Sequence, residues 1–178
     1  MYKQFRTDES QTSGPMRYKI SKQNLKLIKN LPYNKAPHMG VDASRYPAIC
    51  LDQNSQYNSD HAIKDDMDWA WTKMFEPDGW VDVGLSFDKA NPGYIIPKHK
   101  DHFQNYCDRF GHDRTDVRRR LVFLEDWQDG HYFQLEDTVY HHWSQGEWVE
   151  WDSETLHMGA NIGPEPRYTL QITGVRDV

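Results

Sequence analysis

Four residue types in this chain carry chemistry in an ordered pattern: His99-x-Asp101, then His157, then Arg167-x-Thr169. His99 and Asp101 are two apart, so on an extended chain they project from the same face. With His157 they supply two imidazoles and one carboxylate. That set binds one face of an octahedral Fe(II) and leaves three positions open. The pair needs a short, rigid spacing, which a strand provides; the third ligand only has to fold beside it. With nine His and 27 acidic residues, about one His-x-Asp/Glu pair arises by chance, so the pair alone carries little weight. The ordered combination carries more. Arg167, Thr169, Gln171 and Thr173 share one face of a strand, and Tyr168, Leu170 and Ile172 share the other. The apolar face must be packed, so the polar face meets either solvent or a polar pocket. In a pocket, Arg167 offers a planar fork to a carboxylate and Thr169 adds a hydroxyl.

Other polar residues compete for a role. In Arg118-Arg119-Arg120, the first and third share a face of a strand and Arg119 takes the other. Arg120 leads directly into Leu121-Val122-Phe123-Leu124, so it is the arginine expected to be drawn inward, ahead of Arg118. Asn161 lies on the face of His157, either as an inward polar group beside the metal or as an amide anchoring a turn. His131 follows Asp129-Gly130 at a hairpin tip, a place that can line a barrel mouth. His141 and His142 face opposite sides and so do not share a metal, and His102 points away from Asp101.

The elements that must position these residues fall into two halves. Residues 1–16 are polar, punctuated by Gly14 and Pro15, and are expected to be a loose arm. Residues 17–79 are helical and loop support. Ser21 caps a helix over 21–31 with Leu25, Ile28 and Leu31 at helical spacing, and a second helix is expected over 60–75 from the stripe Ile63, Met67, Ala70, Trp71 and Met74. The proline-containing stretch 32–58 is mostly loop. From residue 80 the period changes to two. Strands are expected over 81–88, 94–99, 119–126, 131–139, 147–151, 157–162 and 168–175, separated by Gly-, Asp- or Pro-containing turns. This is an α+β chain, mainly β, forming a single domain whose residues 80–178 make a sandwich or barrel.

With these residues in view, the chain resembles the Fe(II)/2-oxoglutarate-dependent oxygenases. The resemblance covers residues 81–175. It is carried by the triad, by RRRLVFLEDWQDGHYF, by WSQGEWVEWD and by LHMGANIGPEPRYTLQITG. It is nearest to the small stand-alone members, the aspartyl/asparaginyl and free-proline hydroxylase-like proteins. The resemblance implies a double-stranded β-helix, a cupin-like jelly roll; the apolar face of the last strand is expected to carry the N-terminal helices packed on one sheet. The resemblance implies Fe(II) on His99, Asp101 and His157, with 2-oxoglutarate and O2 as co-substrates. Arg167 and Thr169 would hold the distal carboxylate of 2-oxoglutarate, matching the family's Arg-x-Ser/Thr. Arginines on the strand of Arg120 would approach the co-substrate or an acidic substrate. The activity implied is hydroxylation of a C–H with release of succinate and CO2.

Two other functions fit parts of the pattern. A cupin-like metal or ligand binder would use the same barrel, but has no need of a carboxylate clamp after its last ligand. A structural jelly-roll module would carry apolar residues inward, where this chain carries His, Asp, Arg, Thr and Gln. Composition narrows the partners. A net charge of -6 disfavours a protein that coats nucleic acid through its phosphates, and no apolar run approaches the roughly 20 residues that span a bilayer. The N-terminus lacks the layout of a secretory signal, and Cys50 and Cys107 do not make a disulfide framework, so a cytoplasmic protein is expected. The mixed polar and aromatic segments 32–58 and 101–118 are the expected lids over a small-molecule or peptidyl substrate. Nothing in the sequence specifies an oligomeric state.

Overall fold

The computed structural model describes residues 17–35, 59–63 and 70–177. Ser21 starts helix α1 (Lys22–Lys29): its hydroxyl accepts from the Asn24 N–H at 3.0 Å, and Lys26 and Lys29 lie in the last turn, where the carbonyls concentrate negative charge. A two-residue strand β1 (Asn34–Lys35) then pairs with β2 (Ser59–Ile63). The arm over 1–16 and most of the expected loop over 32–58, Cys50 included, lie outside the described residues. The helix expected over 60–75 is corrected. Its start is the strand β2, paired with β3 (Trp80–Ala90), and its end is a 3-10 turn over Ala70–Phe75. Met67 lies outside the described residues. Backbone pairing with a sheet edge has overridden a helical stripe that could only be read locally. Met74, counted on that stripe, is in fact exposed.

The chain continues through β4 (Tyr94–His99), helix α2 (Gln104–Phe110), β5 (Val117–Phe123), β6 (His131–Leu135), β7 (Thr138–Tyr140), β8 (Trp148–Asp152), β9 (His157–Asn161) and β10 (Arg167–Arg176). Helix α2 lies in a segment expected to be loop. The single strand expected over 131–139 is two strands, reversed at residues 136–137, with Glu136 at φ 50°. The chain turns there without a glycine, which removes the usual sequence signal.

The larger sheet runs β1-β2-β3-β10-β5-β8 and the smaller runs β4-β9-β6-β7, all neighbours antiparallel. From β3 onward every connection except β6 to β7 crosses between the sheets. That winding is the double-stranded β-helix, and it is the fold of this chain.

Alternation on β10 sets up both faces of the larger sheet. Leu170 and Ile172 join Leu85, Phe87 and Val122 in a core covered by Ile28 of α1 and by Phe75. Burying these side chains is worth on the order of 1.5–3 kcal/mol each. The opposite face turns toward the smaller sheet. There Leu121, Phe123, Phe133, Trp143, Val149 and Trp151 pack together, with the Phe123 and Trp143 rings stacked 4.0 Å apart. No helix among the described residues is long and apolar enough to cross a membrane.

Candidate metal centre

His99 and His157 stand directly opposite each other on β4 and β9, with ring centroids 4.3 Å apart. Simple alternation from Ile96 would put His99 on the opposite face. The ladder shifts register between Ile96 and His99, around Pro97, which has no N–H to donate, and both residues then line the same cavity. His99 Nδ1 lies 2.8 Å from the Pro97 carbonyl oxygen, and His157 Nδ1 lies 3.2 Å from that of Thr155. An Nδ1–H donated to each carbonyl leaves both Nε2 atoms as lone-pair donors. They face Asp101: His99 Nε2 is 3.8 Å from Oδ1 and His157 Nε2 is 3.5 Å from Oδ2. One ligand atom from each residue falls within 4.8 Å of the others, a spacing one metal ion can bridge.

The electrostatics suit a divalent cation. Burial pushes the Asp101 pKa up, but Arg119, the two histidines and the Trp151 indole outweigh it and hold the carboxyl below its ordinary range. Burial brings His157 down to about 4, against the pull of Asp101 and with help from His99, so its imidazole is neutral at physiological pH. Neutral imidazoles and an ionised carboxylate are the protonation states metal ligation requires.

A cavity of about 130 Å³ holds this triad together with Arg167, Thr169 and Gln171, and with Tyr94, Ile96, Leu121 and Phe133 as apolar and aromatic wall. The face read from β10 is thus the cavity face. Arg167 is 6% exposed; its Nη1 donates to the Tyr132 carbonyl at 2.5 Å and the Ala160 carbonyl at 3.1 Å. Its Nε is buried and meets no acceptor among the described residues. Burial lowers the Arg167 pKa, opposed by Tyr94 and Asp88. Gly159 makes room for the guanidinium, since a Cβ there would lie 3.2 Å from Nη2. A buried guanidinium with an unpaired N–H is costly unless an anion completes it.

Four expected substrate contacts are corrected. Arg120 does not line this cavity. It lies on the opposite face of β5, where Nη2 donates to Glu150 Oε2 at 2.8 Å, Nη1 donates to the Tyr18 hydroxyl and the guanidinium covers the Trp148 ring at 3.9 Å. Arg118 shares that face and donates to the Thr115 and Val117 carbonyls. Asn161 is a turn anchor: its Nδ2 donates to the carbonyls of Ala90 and Glu165, and its Oδ1 accepts from the Gly163 N–H. His131 is buried against Trp143, its Nε2 3.1 Å from the Glu165 carbonyl oxygen, away from the cavity lining.

The arginine that does reach the cavity is Arg119. Its Nη1 donates to Asp101 Oδ2 at 3.0 Å, its Nε to Thr173 Oγ1 at 3.2 Å, and its guanidinium sits 4.9 Å over the Phe103 ring. Trp151 donates to the same Asp101 oxygen at 3.0 Å. The sequence shows only the alternation of Arg119 with Leu121 and Phe123; the register with β10 decides that its face is the inner one, since its partner Thr173 belongs to the polar face of β10.

No family model and no curated protein matches the sequence. Among solved structures, the chain is similar to KdgF from Halomonas sp., with 11% identity and a TM-score of 0.43, over 71% of this chain and 84% of that one. It is similar to the Cnp3 cupin domain of Schizosaccharomyces pombe, with 9% identity and a TM-score of 0.42, over 72% and 70%. A protein with a double-stranded β-helix domain from Klebsiella pneumoniae gives 15% identity and a TM-score of 0.38, over 57% and 83%. The fold assignment rests on the strand order of the chain itself.

Proposed function

We propose that this chain is an Fe(II)- and 2-oxoglutarate-dependent dioxygenase acting on a C–H of a small polar, amino-acid or peptidyl substrate. His99, Asp101 and His157 would hold the metal, which supplies the activation of O2 when bound. Arg167, assisted by Thr169, would hold the distal carboxylate of 2-oxoglutarate. The observation that carries this reading is the buried Arg167 with its Nε lacking an acceptor, in the same cavity as the triad. Two neutral imidazoles and one carboxylate leave a divalent ion with net positive charge, suited to a dianionic co-substrate. The apolar wall keeps bulk water from competing for the guanidinium.

A second reading is a cupin-like metal or ligand binder without oxygenase activity. It is favoured by the two carbonyls already held by Arg167 Nη1, which give this arginine a structural use in tying the cavity wall together. The two readings part at 2-oxoglutarate. In the oxygenase, Arg167→Lys weakens 2-oxoglutarate binding to the metal-loaded protein by about 2 kcal/mol, because a point charge does not reproduce the fork, and leaves metal affinity intact. Anaerobic calorimetric titration reads both. Wild-type protein that binds metal but no 2-oxoglutarate decides for the binder.

A further inference from the structure

We propose that Arg119 and Trp151 are positioning residues that hold Asp101 as a one-oxygen metal ligand, so that three coordination positions stay open. The proposal rests on the metal-binding part of the function proposed above. A carboxylate oxygen has about two lone-pair sites, and Asp101 Oδ2 accepts two hydrogen bonds, from Arg119 Nη1 and Trp151 Nε1, each at 3.0 Å. Oδ2 is therefore saturated by protein donors. Oδ2 also lies 3.5 Å from His157 Nε2, but with Arg119 and Trp151 on it, Oδ1, 3.8 Å from His99 Nε2, is the oxygen left for the ion.

Both donors are themselves fixed. Arg119 is tied to Thr173 Oγ1 through Nε and lies over the Phe103 ring. Trp151 is 5% exposed and packs on the His157 ring, with centroids 4.7 Å apart, and on Phe133 at 5.6 Å. Neither can follow a rotating carboxylate without losing these contacts, so a turn of Asp101 that chelated the ion through both oxygens would break two hydrogen bonds at once. The consequence is a count. Three protein residues giving one atom each leave three places on a six-coordinate ion, and a chelating Asp101 would leave two. A 2-oxo acid and O2 together need three.

The test uses the full chain loaded with Mn(II) alone, and reads water-proton relaxivity per bound ion. The Arg119→Met/Trp151→Phe double variant should bind Mn(II) with relaxivity lower by about a third, as one of three exchangeable waters is displaced by the second carboxylate oxygen. Arg119→Lys, which keeps one charged donor, should hold the wild-type value. The single variants Arg119→Met and Trp151→Phe stand in should the double variant not fold, with a smaller decrease in the same direction. Variants that bind Mn(II) with unchanged relaxivity, whatever their thermal stability, make the ion pair merely structural and overturn the proposal. Wild-type protein that binds no Mn(II) overturns the metal reading and this inference with it, an outcome distinct from the first.

Discussion

Arg119 and Arg120 are neighbours in sequence with opposite fates. On β5 one turns into the cavity and the other onto the outer face of the larger sheet, beside Glu150, Tyr18 and two tryptophans. The alternation of the run is legible in the sequence; the direction is not, because Leu121 and Val122 are both buried and either face could be the inner one. Only the register with β10 decides it. Arg120→Met should therefore act as a stability mutation. It removes one of the two arginines that pair with Glu150, whose side chain is 12% exposed and which keeps Arg176, at a cost of about 1–2 kcal/mol in urea unfolding. Metal uptake should be unchanged in the folded fraction. An unfolding midpoint equal to wild type would return Arg120 to a role other than structural. The triad, by contrast, was legible residue by residue, since His99, Asp101 and His157 do converge.

At the scale of elements, the strand bounds read well: β4, β8, β9 and β10 each lie within one or two residues of expectation. What escaped was whatever depends on distant pairing or on unusual backbone. The stripe over 60–75 mimics a helix until β3 offers β2 an edge. The reversal at residues 136–137 uses Glu136 in the left-handed region rather than a glycine. A second turn shows the opposite case. Gly130 has φ 88°, and a Cβ there would lie 2.2 Å from the Gly163 N atom, because the turns before β6 and after β9 press together. Gly130→Ala should cost at least about 2 kcal/mol, from the left-handed backbone and the clash combined, measured by denaturant unfolding. A neutral substitution would mean that these turns separate freely.

For the whole molecule, burial of neutral histidines sets a pH dependence. Burial lowers the His131 pKa, with Arg167 adding to it and the Glu165 carbonyl and Glu125 opposing, and it brings His157 down to about 4. The sign follows from which state takes up protons first. In the unfolded chain both titrate near their ordinary value of about 6.5, so below that pH the unfolded state binds protons that the folded state refuses. Stability of the metal-free protein should be flat above about pH 7 and fall as pH drops from there toward about 4. His131→Gln should make that fall shallower without touching the triad. A metal-free wild-type protein as stable at pH 5 as at pH 7.5 would contradict the buried, neutral state of these rings. His131 and Trp143 pack outside the cavity lining, whereas Leu121, Phe133 and Trp151 belong both to the core cluster and to the cavity wall, so stability and chemistry share one interior.

The central claim is that His99, Asp101, His157 and Arg167 form one site that takes a metal and then a 2-oxo acid. Anaerobic calorimetric titration of the full chain with Fe(II), followed by 2-oxoglutarate, tests it most directly. The site predicts one Fe(II) per chain, 2-oxoglutarate binding only after the metal, loss of both in His99→Ala, and loss of the second alone in Arg167→Met. Binding of 2-oxoglutarate that is indifferent to Fe(II) and to Arg167, or Fe(II) uptake that survives His99→Ala, would contradict it.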